Sequence, residues 1–205
     1  MTIYLVIDII FAVTFSATSN RRADILEHAS ILLRTRGFNA FSHRDLAERT
    51  GIKSSSIHYH FPTKQDVGVA LIRQYREDLA QLLQSLSPLP VPERLAGFVA
   101  PFVATAHTGD QWCLAGMLAS DYNSLDELLR DEVRQFFDLA EHWLADQAMA
   151  LQPALGPDDA QVCAQSAMAL LEGSLLLARA QQDARRMDRA LNLFFALMGT
   201  SPAKT

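Results

Sequence analysis

Cysteine is nearly missing from this chain. Only Cys113 and Cys163 occur among 205 residues, with no CxxC pair between them. That spacing excludes a disulfide framework and a structural zinc site, and it points to a reducing cytosol. His28, His43, His107 and His142 have no Cys, Asp or Glu at ligand spacing. His58 and His60, two apart on a helix, point in different directions, so no metal set is expected. Also lacking are a glycine-rich phosphate loop, internal repeats, low-complexity tracts and the Val/Ile-rich alternating runs of strands. No carboxylate pair has catalytic spacing, and Cys113 has neither a sequence-level histidine partner nor an oxyanion-type glycine loop. An enzyme is therefore not expected, and no cofactor is implied.

About half the residues are apolar and a fifth charged, enough for a sizeable core and too little charge for wholesale disorder. The net charge of −5 argues against indiscriminate nucleic-acid binding, but its distribution is uneven. Residues 20–64 hold eight basic side chains (Arg21, Arg22, Arg34, Arg36, Arg44, Arg49, Lys53 and Lys64) against four acidic ones, a net of +4. With Asp8 set aside, residues 65–205 carry the balance of −8. A basic head on an acidic body fits a protein whose head meets phosphate and whose body meets something else.

Residues 3–15 are nearly all apolar, broken by Asp8 and preceded by no Lys or Arg. A signal peptide needs a positive leading region and a membrane helix needs roughly 20 apolar residues; this segment has neither. The leading expectation is translated sequence upstream of the true start. A helix packed on the body comes second and a membrane anchor a distant third, so residues 1–19 are set apart and no membrane partner is expected.

The most informative stretch runs from Phe41 to Lys64. Ser42 is placed to cap a helix, with Asp45 completing a capping box, and Gly51 supplies a turn conformation that a Cβ disfavours. Leu46 and Ala47 face inward, and Ile52 and Ile57 bury the back of the next helix. That leaves Ser54, Ser55, Ser56, His58, Tyr59 and His60 as a polar, donor-rich surface short enough to enter a major groove. Upstream, Ile25, Leu26, Ala29, Leu32 and Leu33 recur at helical spacing, giving one amphipathic helix over 22–36 stopped by Gly37. Phe38 and Phe41 are expected to tuck beneath the small domain. Thr63, with Asp66 at the box position, caps a helix whose stripe runs from Val67 to Leu86. At roughly 1.5 Å per residue, that rod is long enough to leave the small domain and enter the next.

In this order the parts resemble the N-terminal domain of the TetR/AcrR family of one-component transcriptional regulators. They are basic residues (Arg21-Arg22), a helix ending in Gly37-Phe38, a capped helix, a Gly-hydrophobic turn, a short aromatic-bearing helix, then Phe61-x-x-Lys64. Lys53 stands where a Ser or Thr cap is commoner, and His58-Tyr59 where Tyr and a variable residue are usual. The resemblance implies double-stranded DNA as partner, read as a palindromic operator. It makes Arg44 a candidate for guanine O6/N7, Ser42 and Ser54 to Ser56 donors to phosphate or base, and Tyr59 and His60 backbone contacts. Lys64 becomes a phosphate clamp, and Arg21 and Arg22 an arm toward an adjacent groove.

Past the Pro88-Pro90-Pro92 break the chain is helical in pattern over 93–107 (with Pro101 inside), 112–121, 125–151, 158–179 and 187–198. The expected fold is all-α: a three-helix head over 20–65 and a larger helical body over 66–205. The last two helices, apolar nearly all round, suggest a twofold four-helix interface and hence a homodimer. Phe98, Phe102, Trp112, Met117, Phe137 and Met168 are candidates to line a small-molecule cavity. The segment around Cys113 resembles one found in electrophile-responsive members of the family, in which the cysteine is modified; Arg179 here stands where such sensors have a lysine. Cys113 is thus a sensing candidate, a buried inert thiol being the alternative. The function expected is that of a cytoplasmic, nucleoid-associated repressor released by a small-molecule or electrophile signal. A chromosome-associated adaptor acting at no promoter is the rival.

Overall fold

The computed structural model describes residues 21–201, and the expectations about 1–19 lie outside them. Among the described residues there are nine α-helices and no strand. The all-α expectation holds. The helices are α1 (Arg21–Arg36), α2 (His43–Thr50), α3 (Ser54–His60), α4 (Lys64–Leu86), α5 (Val91–Thr108), α6 (Leu114–Ser120), α7 (Glu127–Leu151), α8 (Pro157–Gln181) and α9 (Arg185–Leu197). Short 3-10 turns at Phe38–Ala40 and Tyr122–Ser124 complete the set. The helix pattern 112–121 contracts to Leu114–Ser120, with Cys113 as its N-cap and Trp112 outside it.

Close contacts gather the described residues into two units, 21–78 with 110–136 and 79–109 with 137–201. The sequence boundary after Gln65 falls inside the first unit, because residues 110–136 pack with the head and the first half of α4. The helices α4 and α7 each run from one unit into the other.

In the first unit, Ile25, Ala29, Leu32, Leu33, Leu46, Ile57, Phe61, Val67, Leu71 and Ile72 form a dry core. Gly68 lets α4 pack tightly: a Cβ there would stand 2.6 Å from Leu129 Cδ2 and 3.1 Å from Phe38 Cε2. Tyr75 stacks on Phe136 with ring centroids 4.9 Å apart, and its hydroxyl reaches Cys113 Sγ at 3.8 Å. Glu132, almost wholly buried, takes Arg73 Nε at 2.7 Å and lies 2.9 Å from Arg76 Nη1, tying α4 to α7.

In the second unit α5, α8 and α9 pack together, and Phe98 stacks on Trp143 at 5.3 Å. By length and composition α8 is apolar enough to cross a membrane, but its buried residues Ala160, Ala164, Ala167, Met168, Leu171, Leu175 and Ala178 recur every three or four positions. Within this chain it therefore buries one face. Val162, Leu176 and Leu177 on α8 and Leu193 on α9 face solvent.

Candidate nucleic-acid interface

The two reader helices are locally determined. Asp45 N–H donates to Ser42 Oγ at 3.4 Å, and Ser42 N–H returns to Asp45 Oδ2 at 2.7 Å, closing the capping box on α2. The Ser42 bonds hold the Asp45 carboxyl below the usual carboxylate range. At the other end Gly51 takes φ 67°, ψ 11°, the left-handed conformation that a helix-ending glycine adopts most cheaply. Thr50 Oγ1 donates back to Leu46 O at 2.7 Å and accepts Ile52 N–H at 3.3 Å, fixing the path into α3. Thr63 and Asp66 form a second box before α4, with Thr63 N–H on Asp66 Oδ2 at 2.8 Å.

This frame sorts the side chains of α3 into two sets. Ile57 is fully buried, whereas Tyr59 is 84% exposed. An exposed phenol beside a buried isoleucine, on a seven-residue helix, is what an outward-facing recognition surface requires. Ser54 and Ser55 are exposed and Ser56 is half-buried. His60 is half-buried, its ring edge-on to Tyr59 at 5.3 Å. Arg44 on α2 is open to solvent and pairs with Glu48 at 3.1 Å. An exposed i,i+4 pair contributes little, about 0.3–0.5 kcal/mol, so Arg44 is easily diverted to a stronger acceptor. Arg21 is exposed at the start of α1, and Arg22 lies over the Phe61 ring at 4.9 Å, held beside the end of α3.

Two basic residues behave differently from the solvated set. Lys64 Nζ donates to Phe38 O at 2.9 Å and Phe41 O at 3.2 Å, above the Phe38 ring at 4.6 Å. Burial lowers its pKa, partly offset by Asp121 and Asp45. Two of its three donors thus brace the head. Arg34 is almost wholly buried: its Nε donates to Trp112 O at 2.8 Å, and Trp112 N–H returns to Arg34 O at 3.1 Å. Burial lowers its pKa too. It belongs to the interior and adds nothing to a phosphate-facing surface. The sequence pattern placed both among the head's cations because their acceptors are carbonyls from other elements.

Lys53 occupies the N-cap of α3, the position at which the sequence placed it, exposed and with no side-chain cap bond. One feature escaped sequence reading. His43 and His58 bring their rings to 4.4 Å between α2 and α3. Burial, then the neighbouring His58, pushes the His43 pKa down.

The ligand candidates divide between the two units. In the first, Trp112 and Cys113 are buried and Met117 half-buried. In the second, Phe98, Phe102 and Met168 are buried and Phe137 half-buried. Cys163 donates to Leu197 O at 3.1 Å, and burial raises its pKa. Among the described residues no group of three metal-ligating side chains occurs.

Residues 25–71 match the family model for bacterial regulatory proteins, tetR family, and residues 95–192 match the LmrA/YxaF-like transcriptional regulator C-terminal domain. The chain is 20% identical over 186 residues to the HTH-type transcriptional repressor DhaR of Mycobacterium sp. (strain GP1), covering 85% of this chain and 90% of that one. It is 33% identical over 100 residues to the HTH-type transcriptional repressor KstR2 of Mycolicibacterium smegmatis, covering 46% and 47%. Among solved structures, a TetR transcriptional regulator from Legionella pneumophila superposes with a TM-score of 0.78 at 33% identity, covering 87% of this chain and 97% of that one.

Proposed function

The chain belongs to the tetR family of bacterial regulatory proteins, and on that premise we propose that it is a homodimeric repressor whose two heads read the halves of a palindromic operator. DNA-binding transcriptional repression is the function its relatives share. The observation that carries the assignment of residues is the division of α3, with Ile57 sealed in the core and Tyr59 standing in solvent. In this reading α3 enters the major groove. Arg44 meets a guanine edge with the fork geometry that suits O6 and N7. Ser54, Ser55, Ser56, Tyr59 and His60 contact phosphate or base, as does Ser42 where its bonds with Asp45 leave an acceptor position free. Lys53, Arg21, Arg22 and the third donor of Lys64 supply sequence-independent attraction.

The solvent-facing Val162, Leu176, Leu177 and Leu193 support dimerisation through α8 and α9, since apolar residues clustered on exposed helix faces are typical of interfaces. A small molecule bound in the body, among residues such as Phe98, Phe102, Phe137 and Met168 of the second unit or near Trp112, Cys113 and Met117 of the first, would release the operator. It does so by favouring a conformer whose heads are wrongly spaced, and its effect is limited to its differential affinity for the two conformers. The protein acts in the cytoplasm, at the chromosome. The test is a gel-shift titration with duplexes tiling the region upstream of its own gene, at physiological salt. One tile should bind at least about a thousandfold more tightly than random duplex; binding no tighter than random would refute the reading.

A further inference from the structure

Asp121 closes α6, and its carboxylate is turned onto the head. Oδ2 accepts Phe38 N–H at 2.8 Å and Asn39 N–H at 3.3 Å; Oδ1 accepts Asn39 Nδ2 at 2.9 Å. That same amide donates to Ser124 Oγ at 2.9 Å. Beside it, Gln65 at the start of α4 donates to Ser124 O at 2.9 Å and accepts Asp126 N–H at 3.4 Å. A Cβ on Gly37 would stand 3.1 Å from Asp121 Oδ2, so the turn between α1 and α2 fits closely beneath the carboxylate. Residues 121–126 therefore roof the turn that precedes the reader helices, and they lead directly into α7.

We propose that Asp121 is a positioning residue for operator recognition: through Phe38 and Asn39 it fixes the reader helices to the α6–α7 segment, so that the two heads of a dimer present α3 at one spacing. This rests on the homodimeric-repressor reading. Three N–H donors converge on one carboxylate, and hydrogen bonds to an ionised acceptor are roughly twice as strong as neutral ones. None of these donors is itself assigned to DNA. The one assigned group nearby is Lys64, whose Nζ holds Phe38 O and whose charge Asp121 favours. A loss acting through Lys64 would weaken palindrome and half-site alike, whereas loosened placement would not. Binding of a palindrome by two linked heads depends on the effective concentration of the second head at its half-site; binding of one half-site does not.

The experiment compares Asp121→Ala, Asp121→Asn and Asn39→Ala with wild type on two duplexes. One is the palindrome that the wild-type protein selects from random duplexes, and the other is that duplex with one half scrambled. Asp121→Ala should lose about tenfold or more on the palindrome and less than about twofold on the half-site duplex. Asp121→Asn should recover part of the loss, leaving about threefold, because turning over both amides re-forms every bond in its weaker neutral form. Asn39→Ala, at an exposed side chain, should show the same selective loss to a smaller degree, and it carries the test should Asp121→Ala not fold. Equal losses on both duplexes, with a lowered melting temperature, would reduce Asp121 to a support for head folding and overturn the proposal. So would no loss on either duplex. A wild-type protein that selects no palindrome would instead overturn the operator-reading function on which the proposal rests.

Discussion

Alanine at Gly37 is the sharpest structural perturbation the head offers. Gly37 adopts φ 93°, ψ 163°, a region almost restricted to glycine, where another residue bears about 1–3 kcal/mol of strain. The added Cβ would lie 3.1 Å from Asp121 Oδ2 and 3.7 Å from Met117 Cε. The carboxylate must then yield, and loosening one of its charge-assisted hydrogen bonds adds about 1.5 kcal/mol. The smaller unfolded-state entropy of alanine offsets about 0.4–1 kcal/mol. The net expectation is a destabilisation of about 2–4 kcal/mol. Gly51 is the internal control: its φ is also positive, at 67°, but a Cβ added there would meet no atom within 4 Å, so Gly51→Ala should cost about 1 kcal/mol or less. Urea unfolding followed by Trp112 fluorescence in a Trp143→Phe background reports on the unit that holds both glycines, which matters because two units need not unfold together. If Gly37→Ala proves no more damaging than Gly51→Ala, the fit of the turn beneath Asp121 is refuted.

The same assay checks Glu132→Ala. It strands Arg73, which can turn to water, and the more enclosed Arg76, so it should cost about 2–3 kcal/mol, below the 3–5 typical of a fully buried pair. Asp78, buried with only Gln74 Nε2 on Oδ1 at 2.9 Å, has its pKa raised to about 6, chiefly by burial. The folded protein therefore holds that proton more tightly than the unfolded chain. Its contribution to stability is full below about pH 4 and lost as pH rises through about 6. Asp78→Asn should flatten unfolding free energy across that window, and an unchanged pH profile would contradict the assignment. Lys53→Ala and Tyr59→Ala should each alter stability by less than about 0.5 kcal/mol yet weaken operator binding. Lys53→Ala alone should reduce the log–log salt slope by about 0.9 per head in titrations over salt concentration.

What could be read from the sequence was whatever is encoded locally. Ser42 with Asp45, Thr63 with Asp66, and Gly51 are short-range signals, and each forms the cap or turn expected. The core stripe of α1 follows from helical periodicity in the same way. The shortfalls all involve partners distant in the chain. Arg34 lies four residues beyond buried Ser30 and looks like any solvated arginine until Trp112, 78 residues away, presents its carbonyl. Lys64 matches a phosphate-binding position, but the Phe38 and Phe41 carbonyls take two of its donors. The boundary after Gln65 follows the end of the motif, whereas 110–136 returns to pack with the head, a tertiary event with no local marker. The all-round apolar pattern of α8 suggested burial on two sides. Within this chain one side is covered, and Leu176 at 66% exposure marks the other.

The central claim is that the basic head docks in duplex DNA as one of a symmetric pair. Its most direct test is selection from a random duplex pool with wild-type and Arg44→Ala protein, combined with the mass of the complex on the selected duplex. The account predicts an inverted repeat bound by chains in pairs. It also predicts that Arg44→Ala loses discrimination for a guanine at symmetry-related positions in both halves, by about 1–3 kcal/mol for each base pair. A single chain on the duplex, or a selected pool without symmetry and unchanged by Arg44→Ala, would contradict it.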